Sequence, residues 1–258
     1  MNALATFFTA QIVYIYFFYG LAFFSLGLSL QSATRQQSAF RFARAIVPLA
    51  LFGYLHGAHE WVEMFQQITL RSGGAVPPAV EGGRLVLLVL SFTALIVFSV
   101  QLETSPAHSR LRRYGVVWGL LLLWASAVLI VVLLLRPTGQ VLFDTQFLFE
   151  TMDVLARYLL AIPGALLAAR ALMAQQHSFR EQHLARFGRD LVWCTVALIL
   201  YGAVGQLFVR PLDFPPANLL NSQSFLVWFG VPIQLVRALL AAVLTLYMVR
   251  VLRVFDVE

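Results

Sequence analysis

The residues best suited to chemistry lie in one stretch, His56-Gly57-Ala58-His59-Glu60-Trp61-Val62-Glu63. His56, His59, Glu60 and Glu63 recur at i, i+3, i+4 and i+7, so a helix places all four on one face. Neutral imidazoles beside carboxylates can ligate zinc, iron or manganese, or they can exchange protons. The order is not that of the His-Glu-x-x-His zinc motif, because the second histidine precedes the glutamate. A second ladder, Gln146, Glu150, Asp153 and Arg157, also falls on one helical face. Gln234 and Arg237 form a third polar pair, and Tyr201 and Gln206 accompany Gly202 and Gly205, small residues that permit close helix approach.

These groups sit in a chain of 258 residues that is 60% hydrophobic and 12% charged. Soluble domains carry about 25% charged residues, so this composition describes an all-α integral membrane protein. Residues 2–11 lack the basic start of a cleavable signal. Spanning helices of about 20 residues are expected at roughly 5–30, 44–66, 84–103, 114–135, 146–172, 190–209 and 225–251. They make one seven-helix domain over residues 1–258. Twelve arginines flank one set of ends (Arg35, Arg41, Arg44, Arg110, Arg112, Arg113, Arg170, Arg180, Arg186, Arg189, Arg250, Arg253), against Arg71, Arg84, Arg136 and Arg210 on the other. By the positive-inside rule the N-terminus is outside and the C-terminus cytoplasmic. The net charge of +6 is therefore a topology signal, and no nucleic-acid partner is expected. The outer connections, with Ser72-Gly73-Gly74, Pro77-Pro78, Pro137-Thr138-Gly139 and Pro211 to Pro216, read as turns too short for a separate ligand domain.

A rise of 1.5 Å per residue puts Glu63 and Glu150 about 5 Å inside the outer boundary, Glu60 and Asp153 about 10 Å, His56 and Arg157 about 15 Å, and Arg237 about 18 Å. The ladders thus match rung by rung. Buried ionisable groups in lipid are costly and face partners or a cavity, which marks this outer-half cluster as the candidate site. In its sharpest form His56, His59, Glu60, Glu63, Glu150 and Asp153 hold a transition metal, zinc or iron ahead of copper because neither thiolate nor methionine recurs there. Arg157, Arg237, Gln234, Tyr201 and Gln206 then hold an anionic group or small ligand. In the purely structural alternative Asp153 pairs with Arg157, and Glu60 or Glu63 with Arg237. Haem ranks behind a non-haem metal, since His108, His177 and His183 fall in cytoplasmic connections. Retinal is excluded by the absence of lysine. The aromatic run from Phe7 to Phe24 reads as lipid-facing or packing surface, and the lone Cys194 permits no internal disulfide.

Phe24-Ser25-Leu26-Gly27, the run from Arg41 to Pro48, and Leu51-Phe52-Gly53-Tyr54-Leu55-His56-Gly57-Ala58-His59-Glu60-Trp61 resemble the membrane-embedded N-terminal sensor regions of bacterial histidine kinases and diguanylate cyclases. The resemblance implies a seven-helix input module of the inner membrane, usually a homodimer, whose last helix drives a cytoplasmic output domain. Leu246 to Glu258 carries no helix stop, so residues 252–258 are expected to begin a signalling helix. A seven-helix metal-dependent membrane hydrolase is the alternative. A proton-coupled transporter ranks third, because no internal repeat is visible.

Overall fold

In a medium without water every backbone polar group must find an internal partner, so long apolar segments become helices. The computed structural model describes residues 3–34, 41–103, 110–135, 144–181 and 185–252, and among these no β-strand is present. The helices are α1 (Ala3–Ala10), α2 (Ile12–Thr34), α3 (Arg41–Arg71), α4 (Pro78–Glu103), α5 (Arg110–Leu135), α6 (Thr145–Ala156), α7 (Ile162–Glu181), α8 (Ala185–Ile199), α9 (Gly205–Leu207), α10 (Ser222–Phe229) and α11 (Ile233–Leu252). Six helical segments are long and apolar enough to cross a membrane: 12–33, 78–103, 114–135, 145–176, 188–207 and 233–252. The 31-residue α3 is not among them, because its histidines, glutamates and arginines lower its mean hydropathy. It packs between α2 and α4 nonetheless.

Several element boundaries differ from expectation. The fourth helix begins at Pro78 rather than near residue 84, because proline suits the first helical position, where no N–H is needed. The expected last span is two helices. Gly230, with φ 72°, ends α10 in the left-handed conformation, and Pro232 follows, so α11 starts afresh. Two spans contain π-helical turns, Arg157–Ala161 and Leu200–Val204. The first directly precedes Pro163, which has no N–H to offer the Leu159 carbonyl and disturbs the regular ladder. Arg35, His108, His183, Pro137-Thr138-Gly139 and the 253–258 portion of the expected signalling helix lie outside the described residues.

The main apolar core runs through α2, α3, α4, α7, α8 and α11, with Phe23, Phe52, Phe92 and Phe98 fully buried. A smaller cluster around Val128, Val154, Leu155, Val209 and Phe214 joins α5 and α6 to the 208–221 loop. The aromatic run divides as helical spacing requires. Phe7, Tyr14, Phe17, Phe18 and Phe24 are exposed, whereas Tyr16, Tyr19 and Phe23 point inward.

Glycines set the α2–α3 approach. A Cβ on Gly53 would lie 2.7 Å from Gly27 N and Phe23 O, and one on Gly57 would lie 2.8 Å from Gly20 O. Both obstacles are backbone, so accommodation means separating the helices. Gly53→Ala is expected to destabilise the protein by about 1–3 kcal/mol, the usual cost of overpacking. A Cβ on Gly83 meets nothing within 4 Å, so Gly83→Ala should be neutral or stabilising through helix propensity. Thermal unfolding of both variants in detergent checks the contrast.

Candidate functional site

Local sequence rules aim the polar ladders. Asp144 caps α6 by accepting from the Gln146 and Phe147 amides, which fixes the rotation that turns Asp153 and Arg157 inward. The uninterrupted helix through Gly57 keeps His56, His59, Glu60 and Glu63 on the buried face of α3.

Two joined networks result. The first is ionic and centres on Arg84, whose side chain is fully buried. Its Nη1 donates to Glu63 Oε1 (2.7 Å) and Asp153 Oδ2 (2.5 Å), while Nη2 donates to Glu81 Oε1 (2.6 Å). Arg157 Nε donates to Asp153 Oδ1 (2.7 Å), and its Nη1 to Gln206 Oε1 (2.8 Å). Arg210 Nη2 reaches Glu63 Oε1 (3.0 Å), and the Glu63 carboxylate holds this half-buried guanidinium above its ordinary pKa. Gln66 donates to Glu81, closing the rim.

The second network is built on imidazoles. His56 Nδ1 lies 3.0 Å from Ser91 Oγ, which spends its own hydrogen on the Leu88 carbonyl. His56 Nδ1 is therefore the donor. Its Nε2 lies 2.6 Å from Tyr201 OH, and Tyr19 OH donates to Tyr201 OH (3.1 Å). His59 Nδ1 lies 3.1 Å from the Arg84 carbonyl, an acceptor only, so Nδ1 carries the hydrogen there too. Glu60 Oε1 faces His56 Nε2 at 3.2 Å and His59 Nε2 at 3.8 Å. Among the described residues, His59 Nε2 has no hydrogen-bond partner although it is buried.

A cavity of about 590 Å³ opens beside the ionic network, lined by Glu63, Glu81, Glu150, Arg210, Gln146 and Gln234 among others. An adjoining pocket of about 40 Å³ reaches inward to Glu60, Arg157 and Arg237, and shares Tyr16, Glu63, Arg210 and Gln234 with the larger one.

Most residues singled out from sequence do meet. His56, His59, Glu60, Glu63, Asp153, Arg157, Tyr201 and Gln206 all belong to the two networks, and Asp153 pairs with Arg157 as expected. Glu150 stays on the cavity wall, bonded to Gln146 rather than to the buried groups. Gln234 donates to Tyr16 (3.3 Å). Arg237 pairs with neither Glu60 nor Glu63. It donates to the carbonyls of Gly205 and Phe208, which the end of α9 leaves without helical partners. Among the described residues, no group of three or more histidine, cysteine or acidic side chains is arranged to hold a metal ion. His56 has both nitrogens in hydrogen bonds, and Glu63 and Asp153 are held by arginines.

Sequence reasoning missed Arg84, which counted only as a charge in an outer connection, and with it Glu81, Tyr19 and Ser91. A signal was present in the spacing Glu81, Arg84, Leu88, Ser91, which lines one face of α4. The chain matches no family model, no curated protein and no solved structure.

Arg84→Ala would leave Glu63, Asp153 and Glu81 facing an empty centre. Removing one partner of a buried ion pair costs about 3–5 kcal/mol, so the variant should unfold at markedly lower temperature or fail to fold. Arg170→Ala removes a pair with Glu103 that is largely in solvent and should leave the unfolding temperature unchanged.

Proposed function

We propose that the chain is the sensory input domain of a bacterial signalling protein of the inner membrane. In this reading seven helices span, α3 included, with the N-terminus outside and the C-terminus cytoplasmic. The arginine distribution supports the orientation, and the resemblance over α2 and α3 supports a homodimer with a kinase or cyclase output domain. The cavity then faces the outside, between the α3–α4 turn, the start of α6 and the 208–221 loop.

One observation carries the sensory reading. The last helix reaches into the site: Gln234 lines both cavities, and Arg237, one turn on, is tied to the end of α9. Occupancy of the cavity can therefore shift α11 directly, and packed bundles respond to such pushes in discrete steps. The ligand class follows from the lining. Three carboxylates (Glu63, Glu81, Glu150) meet one guanidinium (Arg210) beside apolar Leu70, Val76 and Phe149. Among the described residues, Glu150 alone of the three has no arginine partner. That suits a small organic amine with an apolar portion.

Short alkylamines and diamines are expected to raise the unfolding temperature of the detergent-purified protein. Glu150→Gln should weaken their binding about tenfold or more, the worth of a lost charge-assisted hydrogen bond. No stabilisation by any member of the panel, or stabilisation indifferent to Glu150→Gln, would refute the amine site.

A metal at the imidazoles, and with it the hydrolase reading, would need His56 to surrender Tyr201 or Ser91. Protein purified without chelator should therefore carry no stoichiometric transition metal. Stoichiometric zinc or iron that disappears in a His56→Ala, His59→Ala double variant would establish the metal site instead.

A further inference from the structure

Three acceptor atoms converge where α3 meets the second π-helical turn. Both histidines are held as Nδ1–H tautomers, His56 by Ser91 and His59 by the Arg84 carbonyl. Glu60 Oε1 lies 3.2 Å from His56 Nε2, whose lone pair the Tyr201 hydroxyl engages, and 3.8 Å from His59 Nε2, whose lone pair stays unengaged. Tyr201 supplies one hydrogen to His56 Nε2, and Tyr19 supports Tyr201 from behind. His59 Nε2 receives none. Lone pairs facing one another in a water-poor interior repel, and an unmade hydrogen bond there costs about 1–3 kcal/mol. One added proton resolves the conflict. On Glu60 it gives the carboxyl a hydrogen to offer His59 Nε2, the acceptor without a donor.

We propose that Glu60, His56 and His59 form a proton-binding site, filled from the larger cavity through the small polar pocket that adjoins it. The pocket has room for two or three waters, at about 10–15 Å³ of this measure each. It is walled by Tyr16 and Gln234 on the cavity side and by Glu60, Arg157 and Arg237 at its inner end, so a water chain there would connect Glu60 to the cavity. Uptake places one proton between Glu60 Oε1 and an imidazole Nε2. The 3.8 Å gap to His59 closes to hydrogen-bond length with a movement of about 1 Å. Release leaves a carboxylate facing the water pocket and its three guanidinium groups, Arg157, Arg210 and Arg237.

The charged and titratable surroundings of Glu60 come from every packed element. They are His56, His59 and Glu63 on α3, Arg84 on α4, Asp153 on α6, and Arg157 in the first π turn. Tyr201 in the second, Tyr16 and Tyr19 on α2, Arg210 in the loop and Arg237 on α11 complete them. Arg237 links the event to the last helix. The site shares the cavity of the proposed sensor but not its amine, so the two stand or fall separately.

Infrared difference spectra of the detergent-purified full chain, titrated with acid, read the proton itself. Beside the bands of the other acidic side chains, a carboxylic-acid carbonyl component that grows as pH falls is expected in the wild type and in Glu103→Gln, and not in Glu60→Gln. Tyr201→Phe, which keeps Glu60 but removes the hydroxyl donor at His56, should move the midpoint by about one pH unit. No such band in the wild type, a band that persists in folded Glu60→Gln, or an unmoved midpoint in Tyr201→Phe would each overturn the site. If Glu60→Gln does not fold by circular dichroism, Tyr201→Phe decides alone. Amine stabilisation that fails while the band behaves as described would refute the amine site and leave this one standing.

Discussion

A fully buried guanidinium in an apolar bundle is tolerable only if carboxylates surround it, and Arg84 imposes that requirement on three helices at once. Its partners come from α3, α4 and α6, so the relative rotation and depth of those helices are set by a single side chain. Arg's planar fork can serve several acceptors in fixed directions, which a lysine ammonium could not. The α2–α3 contact is the apolar counterpart. There glycines let backbones touch, and α3 is pinned between a close-packed face and an ionic one. Gly57 touches the α2 backbone while His56, next to it, is wedged between the Tyr19 and Phe23 rings of α2 and Ser91 of α4, which is why this imidazole has so little freedom.

The stripes on α3 and α6 were legible because helical periodicity is a one-dimensional signal that survives without knowledge of packing. The register between the two ladders was legible only to within a turn, since Asp153 meets Glu63 rather than Glu60 through Arg84. The pairing was not. Arg84 lies near a helix start, where an arginine counts toward topology, and only the fold shows that α4 begins six residues earlier, at Pro78, and carries it inside. Arg237 shows the complementary failure. Charge alone assigns it to a glutamate, but the chain leaves the helix at Phe208 and exposes carbonyls that compete for the same donors. Backbone acceptors at helix ends carry no sequence letter.

The departures from regular helix gather around the same place. Arg157 opens one π-helical turn, Tyr201 lies in the other, and the Gly230–Pro232 break precedes Gln234 and Arg237. A π turn inserts an extra residue and swings the following side chains off the face they would otherwise occupy. Without the second turn the frame that presents Tyr201 to His56 could not be continuous with the one that places Gln206 at Arg157. Only one of the two turns has an evident local cause, the proline at position 163. The other is held by what it touches, since Gly202 packs against Ala165 so closely that a Cβ there would lie 2.2 Å from the alanine methyl.

The division of labour between the two networks follows from their chemistry. The arginine-centred network saturates its carboxylates with permanent cations, so it fixes geometry and has little left to exchange. The imidazole network has the opposite property: its donors are neutral, and a carboxyl oxygen lies 3.2 and 3.8 Å from two imidazole nitrogens, one of which lacks a hydrogen-bond partner among the described residues. Glu63 and Arg84 stand at the boundary. Glu63 lines the cavity while bonding Arg84, and the backbone carbonyl of Arg84 fixes the His59 tautomer. A rigid ionic frame that also dictates which nitrogen of a neighbouring imidazole carries its hydrogen places a responsive group at a defined distance from a stable one.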